Sequence, residues 1–295
     1  MSEKWLERAK VLVEGLPYIK PYFGKIIVVK YGGNAMGDDD ATLKFASDMV
    51  LLKEIGINPI VVHGGGPQIG EMLDKVNVQS EFKNGIRVTD KATMEVAQMV
   101  LCGPVNQTIV QAINKAGGMG VGISGVDGNM LTVEKMAVKD ENSDSNIEKV
   151  VDMGFVGTPT KFDATLLEIL TNTNAIPVVS PISIGECGNI FNVNADSAAG
   201  AIASGMKAKR LVLLTDIEGV LDGDKKLVSE LNVASAKRMI KDGVAVGGMI
   251  PKIETCIKAI EDGLEGAVIT DGRLAHSVLM EVLTEKGSGT LITAV

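Results

Sequence analysis

KIIVVKYGG, residues 25–33, carries a lysine out of an apolar run and straight into two glycines. Ile26, Ile27, Val28 and Val29 read as a short strand buried on both faces, ending at Lys30. The next strand-like run, residues 57–62, ends in His63-Gly64-Gly65-Gly66-Pro67. One glycine pair alone would say no more than that a tight strand-to-helix connection needs room. Two such loops on successive strands, one carrying a lysine, indicate more. In open α/β sheets the carboxyl ends of the strands hold ligands, and amides in turns that lead into helices are anion donors. The pairing points to phosphate chemistry.

Outward from this stretch, short β-rich runs alternate with helical ones, which predicts a mainly parallel sheet covered on both faces. Phe45, Met49 and Leu52 share one face of a helix, and Asp38, Asp39 and Asp40 stand at its start. A helix over 68–76 follows, then a hairpin signal at Asn84-Gly85. Thr89 or Asp90 caps a long helix that Pro104 should kink or divide. Residues 120–162 read as β-hairpins. Further on come strands at 176–180, 211–214 and 267–270, and helices from Ala195, at 234–241 and at 252–264, before a closing segment at 276–292. Ahead of it all, Trp5, Leu6, Ala9, Leu12 and Val13 form one stripe of a helix expected to end at Gly15 and Pro17. That helix either folds back on its own core or docks on another subunit.

Composition removes several classes. At 295 residues the chain can bury a large core, as one extended α/β domain or as two lobes, and 45% hydrophobic with 22% charged residues is ordinary for a soluble globular protein. A net charge of −8 argues against a general nucleic-acid binder. Cys102, Cys187 and Cys256 are widely spaced and odd in number, which suits reducing cytoplasm better than a disulfide framework. Two histidines and no cysteine cluster give a zinc site little to draw on. No apolar run approaches the ~20 residues that span a bilayer, so neither export nor membrane embedding is expected.

The familiar phosphate signatures do not account for the loops. No G-x-x-x-x-G-K-[ST] occurs. Gly120, Gly122 and Gly125 spell G-x-G-x-x-G, with Asp140 and Glu141 downstream, but a helix precedes the motif and a β-like run follows it, the wrong context for a dinucleotide fold. Two later stretches fit better. In NVNAD, Asn194 reads as a helix cap and Asp196 as a dipole-favoured acid, which leaves Asn192 without a structural task. In GGMIPK, residues 247–252, Lys252 lies off the apolar stripe and in a first helical turn, where a cation is unfavourable unless an anion is near.

KYGGNAM, VVHGGGPQI, NGIRVT, NVNADSAAG, LLTDIEGVL and GGMIPKIE, in this order between residues 25 and 295, resemble the amino acid kinase family. The resemblance implies an α/β fold in which a central, mainly parallel sheet is sandwiched between helices in two lobes. Residues 25–190 would hold an amino acid substrate and 191–295 ATP, while 1–24 would form a helical extension for assembly and regulation. Position by position, it makes Lys30 and Lys252 the cations on the transferring phosphoryl group and Asp196 the acid that holds them. Gly32, Gly33 and Gly64 match phosphate-facing glycines. Gly65, Gly66, Arg87, Asn192 and Asn194 match contacts of an acidic substrate, here N-acetyl-L-glutamate, and Thr215, Asp216, Gly219 and Val220 match the nucleotide segment. In arginine-sensitive members an N-terminal helix interlaces dimers into a ring, which implies L-arginine as inhibitor of a dimer-based hexamer, bound near His276, Glu281 and Gly287. Mg2+ would be carried on the nucleotide with no protein ligand, and a nitrogen-regulatory protein partner is left open.

Physical argument runs beside this resemblance. Joining a phosphoryl group to a carboxylate brings two anions together, so positive charge and positioning matter most. With a reference pKa of ~4.3 the carboxylate is already a nucleophile and needs no general base. Kinases acting on glutamate, aspartate, an aminoadipate derivative, carbamate or UMP remain as alternatives, the last two disfavoured by Arg87 after Asn84-Gly85-Ile86. A catalytically silent arginine-sensing or assembly subunit is the alternative of another class. Lys30, Asp196 and Lys252, all present, speak against it.

Overall fold

Buried β-branched runs separated by amphipathic helices build this chain in alternating layers. The computed structural model describes residues 3–33, 36, 39–83, 85–139 and 150–295. Helix α1 (Glu3–Ile19) leads to β1 (Ile26–Tyr31), α2 (Asp39–Glu54), β2 (Asn58–His63) and α3 (Gly66–Lys75). The hairpin β3 (Phe82–Lys83) and β4 (Ile86–Arg87) turns through Gly85 at φ 75°; Asn84 and the expected cap Asp38 lie outside the described residues. Asp90 caps α4 (Lys91–Val100), its carboxylate accepting from Thr93 N at 2.8 Å. Pro104 divides the helix as expected: a π-turn, Leu101–Val105, separates α4 from α5 (Asn106–Lys115).

Next come β5 (Met119–Ser124), β6 (Leu131–Lys139), β7 (Val150–Phe162), α6 (Thr165–Thr171), β8 (Ala175–Ser180), β9 (Ile182–Gly185) and β10 (Ile190–Val193). The chain closes with α7 (Ala195–Gly205), β11 (Arg210–Thr215), β12 (Glu230–Asn232), α8 (Val233–Lys241), α9 (Met249–Glu261), β13 (Ala267–Asp271), α10 (Ser277–Leu283) and β14 (Thr290–Thr293).

Eight strands form one continuous sheet, β12-β14-β13-β11-β1-β2-β8-β5, parallel throughout except where β14 runs against β13. Strand alternation sorts its residues. Val28, Ile60, Leu211 and Ile269 face α7 and α9, where Ala198, Ile202, Ile253 and Ile257 meet them. Ile27, Val29, Val61 and Val212 face α2, α5 and α10 through Phe45, Met49, Ile109 and Val278. A second, four-stranded sheet, β10-β7-β6-β9, closes on itself beside the main one.

Two expectations are corrected. Residues 120–162 are not hairpins alone: β6 and β7 form one, but β5 is a parallel edge strand of the main sheet. Its glycines let α5 lie close, since a Cβ at Gly122 would sit 2.0 Å from Asn106 Oδ1. Only a single 3-10 turn, Asp127–Asn129, follows them, and not the α-helix a dinucleotide fold needs, so the G-x-G-x-x-G spacing serves packing. Helix α1 also runs through Gly15 and Pro17 to Ile19. Proline fits helical φ and removes one ladder bond, and winding resumes with Lys20 N donating to Leu16 O at 3.1 Å.

Candidate active site

What Lys30 meets follows from its place in β1. It stands two residues after Val28, hence on the face covered by α7 and α9, and level with Val62 on β2 and Leu213 on β11. Asp196 is the second residue of α7, whose start is fixed by Asn194: the amide oxygen accepts from Asp196 N at 2.9 Å and Ser197 N at 3.2 Å. Lys252 enters from α9. Lys30 Nζ lies 3.0 Å from Asp196 Oδ1 and Lys252 Nζ 2.7 Å from Oδ2. One buried carboxylate therefore joins a lysine from each half of the chain.

Two cations around one anion leave net positive charge in a largely desolvated place. Burial depresses the Lys30 pKa, with Asp196 opposing it and Lys252 adding to it. For Asp196 burial pushes upward, but the two lysines outweigh it and hold the carboxyl below its ordinary range. Buried ion groups of this kind contribute little net stability. An anionic ligand is what would complete the charge.

The two glycine loops touch beside this centre. A Cβ at Gly32 would fall 2.7 Å from Gly64 N, so only glycine allows the backbones this close. Gly64 is not a free donor, because its amide is donated to Tyr31 O at 2.9 Å and ties one loop to the other. Gly65 and Gly66 open α3, where the first amides have no acceptor within the helix. Gly33 follows the loop contact and is exposed.

Arg87 joins the HGGGP loop from β4. It donates to Gly66 O at 3.1 Å and to Ser80 Oγ at 2.5 Å, and its guanidinium stacks 4.5 Å from the Phe82 ring centre. It lines a cleft of about 850 Å³ with Gly70, Asp74, Ser80, Phe82 and Asp90. Asn192 lies opposite Val156 on β7, two residues along from Gly154, which bridges Thr89. Asn192 and Thr89, two residues beyond Arg87, thus meet one segment of β7. Asn194 does the work of a helix cap through its Oδ1.

Thr215 ends β11 and Asp216 follows it at the same sheet edge, close enough to Lys30 to act on its charge. Gly219 and Val220 belong to the next loop, where Val220 N donates to Thr290 Oγ1 at 2.8 Å. At the other face, His276 caps α10 and places Nδ1 2.5 Å from the buried Asp48. Glu281 accepts from Ser288 N at 2.9 Å, and Gly287, at φ 61°, leaves no room for a side chain beside it. Among the described residues no three His, Cys, Asp or Glu side chains are grouped to hold a metal, and no helix is long and apolar enough to cross a membrane.

Sequence reasoning assigned no task to His63, Asn106 or Asp48. Asp48 had a signal, since it stands on the buried stripe of α2 between Phe45 and Met49. The pairing of His63 with Asn106 had none, because nothing local links residues 43 apart.

A profile of the amino acid kinase family matches residues 25–271. The chain belongs to the amino acid kinase family. Among relatives in this kinase family, the acetylglutamate kinase of Rhodospirillum rubrum is 54% identical over 294 residues, covering 100% of this chain and 95% of that one. The acetylglutamate kinase of Parvibaculum lavamentivorans is 52% identical over 287 residues, covering 97% and 94%. Solved structures agree on the fold. N-acetylglutamate synthase from Neisseria gonorrhoeae, complexed with coenzyme A and N-acetyl-glutamate, superposes at TM-score 0.82 with 25% identity over 96% of this chain, which spans only 62% of the synthase. Giardia lamblia carbamate kinase bound to AMP-PNP superposes at 0.65 with 18% identity, over 92% of this chain and 98% of that one.

Proposed function

We propose that this chain transfers the γ-phosphoryl group of ATP to the γ-carboxylate of N-acetyl-L-glutamate, giving an acyl phosphate in arginine biosynthesis. The observation that carries the reading is Asp196 bridging Lys30 and Lys252 beside two touching glycine loops. Relatives at 52–54% identity over nearly the whole chain are acetylglutamate kinases, which favours this acceptor over glutamate, aspartate or carbamate.

The chemistry follows from charge. The acceptor carboxylate attacks phosphorus directly, the bond to the ADP oxygen breaks, and no general base is needed. Lys30, from the sheet edge, and Lys252, from α9, neutralise the charge spreading over the phosphoryl oxygens. Asp196 opposes the effect of burial on Lys30 and aims both lysines. The amides around Gly32, Gly33, Gly65 and Gly66 would face the phosphoryl group and the γ-carboxylate, and Arg87 with Asn192 would clamp the α-carboxylate. Thr215, Asp216, Gly219 and Val220 would border the nucleotide, so residues 25–190 hold the acceptor and 191–295 the donor. Mg2+ carried on ATP supplies further neutralisation of the phosphates when bound.

Arginine control belongs to the same proposal. Trp5, Leu6, Val11, Val13 and Leu16 are exposed on α1 and are not covered by the chain's own core. That supports docking on a second copy in a cytoplasmic, dimer-based hexamer, with L-arginine bound near His276, Glu281 and Gly287. A panel of acceptors with ATP and Mg2+, read as hydroxamate after trapping with hydroxylamine, tests the activity. Signal with N-acetyl-L-glutamate well above that with L-glutamate is expected; equal or greater signal with glutamate would remove the specificity.

A further inference from the structure

Beneath the HGGGP loop lies a buried polar chain that the chemistry above does not use. Asn106, the first residue of α5, has its amide nitrogen 2.9 Å from Val178 O on β8 and 3.1 Å from His63 Nε2 at the end of β2. His63 Nδ1 lies 2.9 Å from Gly64 O. His63 and Asn106 are both fully buried.

The protons in this chain can be assigned from its acceptors. A carbonyl only accepts, so Val178 O requires the NH2 of Asn106 on its side. That NH2 donates its other proton to Nε2, which must then be unprotonated. The single imidazole proton is on Nδ1 and is donated to Gly64 O. Burial, against a smaller opposing effect of the Gly64 carbonyl, lowers the His63 pKa to about 4, so the ring is uncharged near neutrality.

A trans peptide plane points its C=O and the following N–H in opposite directions. Holding Gly64 C=O against the imidazole therefore turns Gly65 N–H away from it. The other amide of Gly64 is already fixed on Tyr31 O, at 2.9 Å, so the loop has both its neighbouring peptides anchored.

We infer that His63 is a positioning residue: held in its Nδ1–H form by Asn106, it grips the Gly64 carbonyl and so aims the Gly65 amide at the transferring phosphoryl group or the acceptor carboxylate. This rests on the kinase reading above. It requires no charge on His63 and no contact with substrate. The hydrogen bond to Gly64 O is the feature that matters, so a side chain that replaces that donor restores function and one that replaces only the Nε2 acceptor does not.

Three variants separate these. His63→Asn keeps an N–H near the Nδ1 position, His63→Gln places its amide near Nε2, and His63→Leu has neither. In steady-state assays with full-length protein, ATP, Mg2+ and N-acetyl-L-glutamate, kcat should fall about 100-fold for Gln and Leu, the loss expected for one misaligned donor to developing charge, with KM for both substrates within a few-fold. His63→Asn should recover most of it. Melting temperatures recorded alongside separate folding from turnover, and the Asn–Gln contrast stands even if the leucine variant does not fold. Independently, 15N NMR of the imidazole in the unmodified protein should show a neutral ring protonated at Nδ1. Equal kcat for Asn, Gln and Leu, or an Nε2–H ring, would overturn the assignment. If the unmodified chain proves to prefer another acceptor, the kinase reading of N-acetyl-L-glutamate fails, while the same variant series on that acceptor still decides the role of His63.

Discussion

Asp196 and Asp48 are buried carboxylates that both meet basic side chains, and they come to opposite states. Asp196 sits between Lys30 and Lys252, and their charge overcomes burial to hold its pKa low. Asp48 sits under α10 with His276 alone, and there burial wins and its pKa is raised. Two lysine partners outweigh the burial of one carboxylate, whereas a single imidazole partner does not. The contrast separates a centre whose charge is fixed from a junction whose charge varies with pH. A fixed charge suits stabilisation of a phosphoryl group in flight; the junction, between α2 and α10, suits adjustment of structure.

The largest way to break the comparison is to remove half of the fixed charge. Lys252→Ala should reduce kcat by about 100- to 1,000-fold while KM changes little, because the lost interaction forms as charge develops. Initial rates over a matrix of both substrates measure it. Arg87→Ala should do the reverse, raising the KM for the acceptor by roughly 10- to 100-fold, the worth of a charged hydrogen bond made equally in ground and transition states. A fall in kcat alone at Arg87 would exchange the two roles.

A smaller effect is expected at the periphery. Removing residues before Gly24 should leave a smaller assembly that still phosphorylates but has lost an arginine response of about 10-fold, within the usual 1–3 kcal/mol of coupling. Light scattering and rates with and without arginine report both. The smallest concerns Asp48 itself. With its pKa raised, the folded chain holds a proton there that the unfolded chain has already released, so this contribution is present at low pH and is lost as pH rises through the folded value. Thermal melts of Asp48→Asn should lack that slope, at most about 1.4 kcal/mol per pH unit. Identical slopes in both proteins would mean that Asp48 does not titrate in this way.

Sequence made the centre more legible than its surroundings, for a physical reason. Lys30, Asp196 and Lys252 each carry a local signal: a lysine after an apolar strand, an acid in a capped first turn, a cation where the helix dipole disfavours one. The Pro104 break and the Asp90 cap were equally local. What escaped depends on distant neighbours. Strand β5 is glycine-rich and half exposed, so its pairing with β8 is invisible until α5 covers it. The closed β6–β7–β9–β10 sheet takes strands from both sides of α6 and β8, and β9 and β10 have only four residues each. The hydrogen bond that Glu281 accepts from Ser288 N is of the same kind, since it is supplied by a turn that spacing alone does not fold back.

One measurement reaches the central claim most directly: 31P NMR of the unmodified protein and of Lys252→Ala, each with ATP, Mg2+ and N-acetyl-L-glutamate, at equal enzyme concentration. The fixed-charge centre predicts ADP and a new acyl phosphate resonance appearing together in the unmodified protein, and neither accumulating over the same interval in the variant. An acyl phosphate formed at the same rate by both proteins, or ADP released with no acyl phosphate, would contradict it.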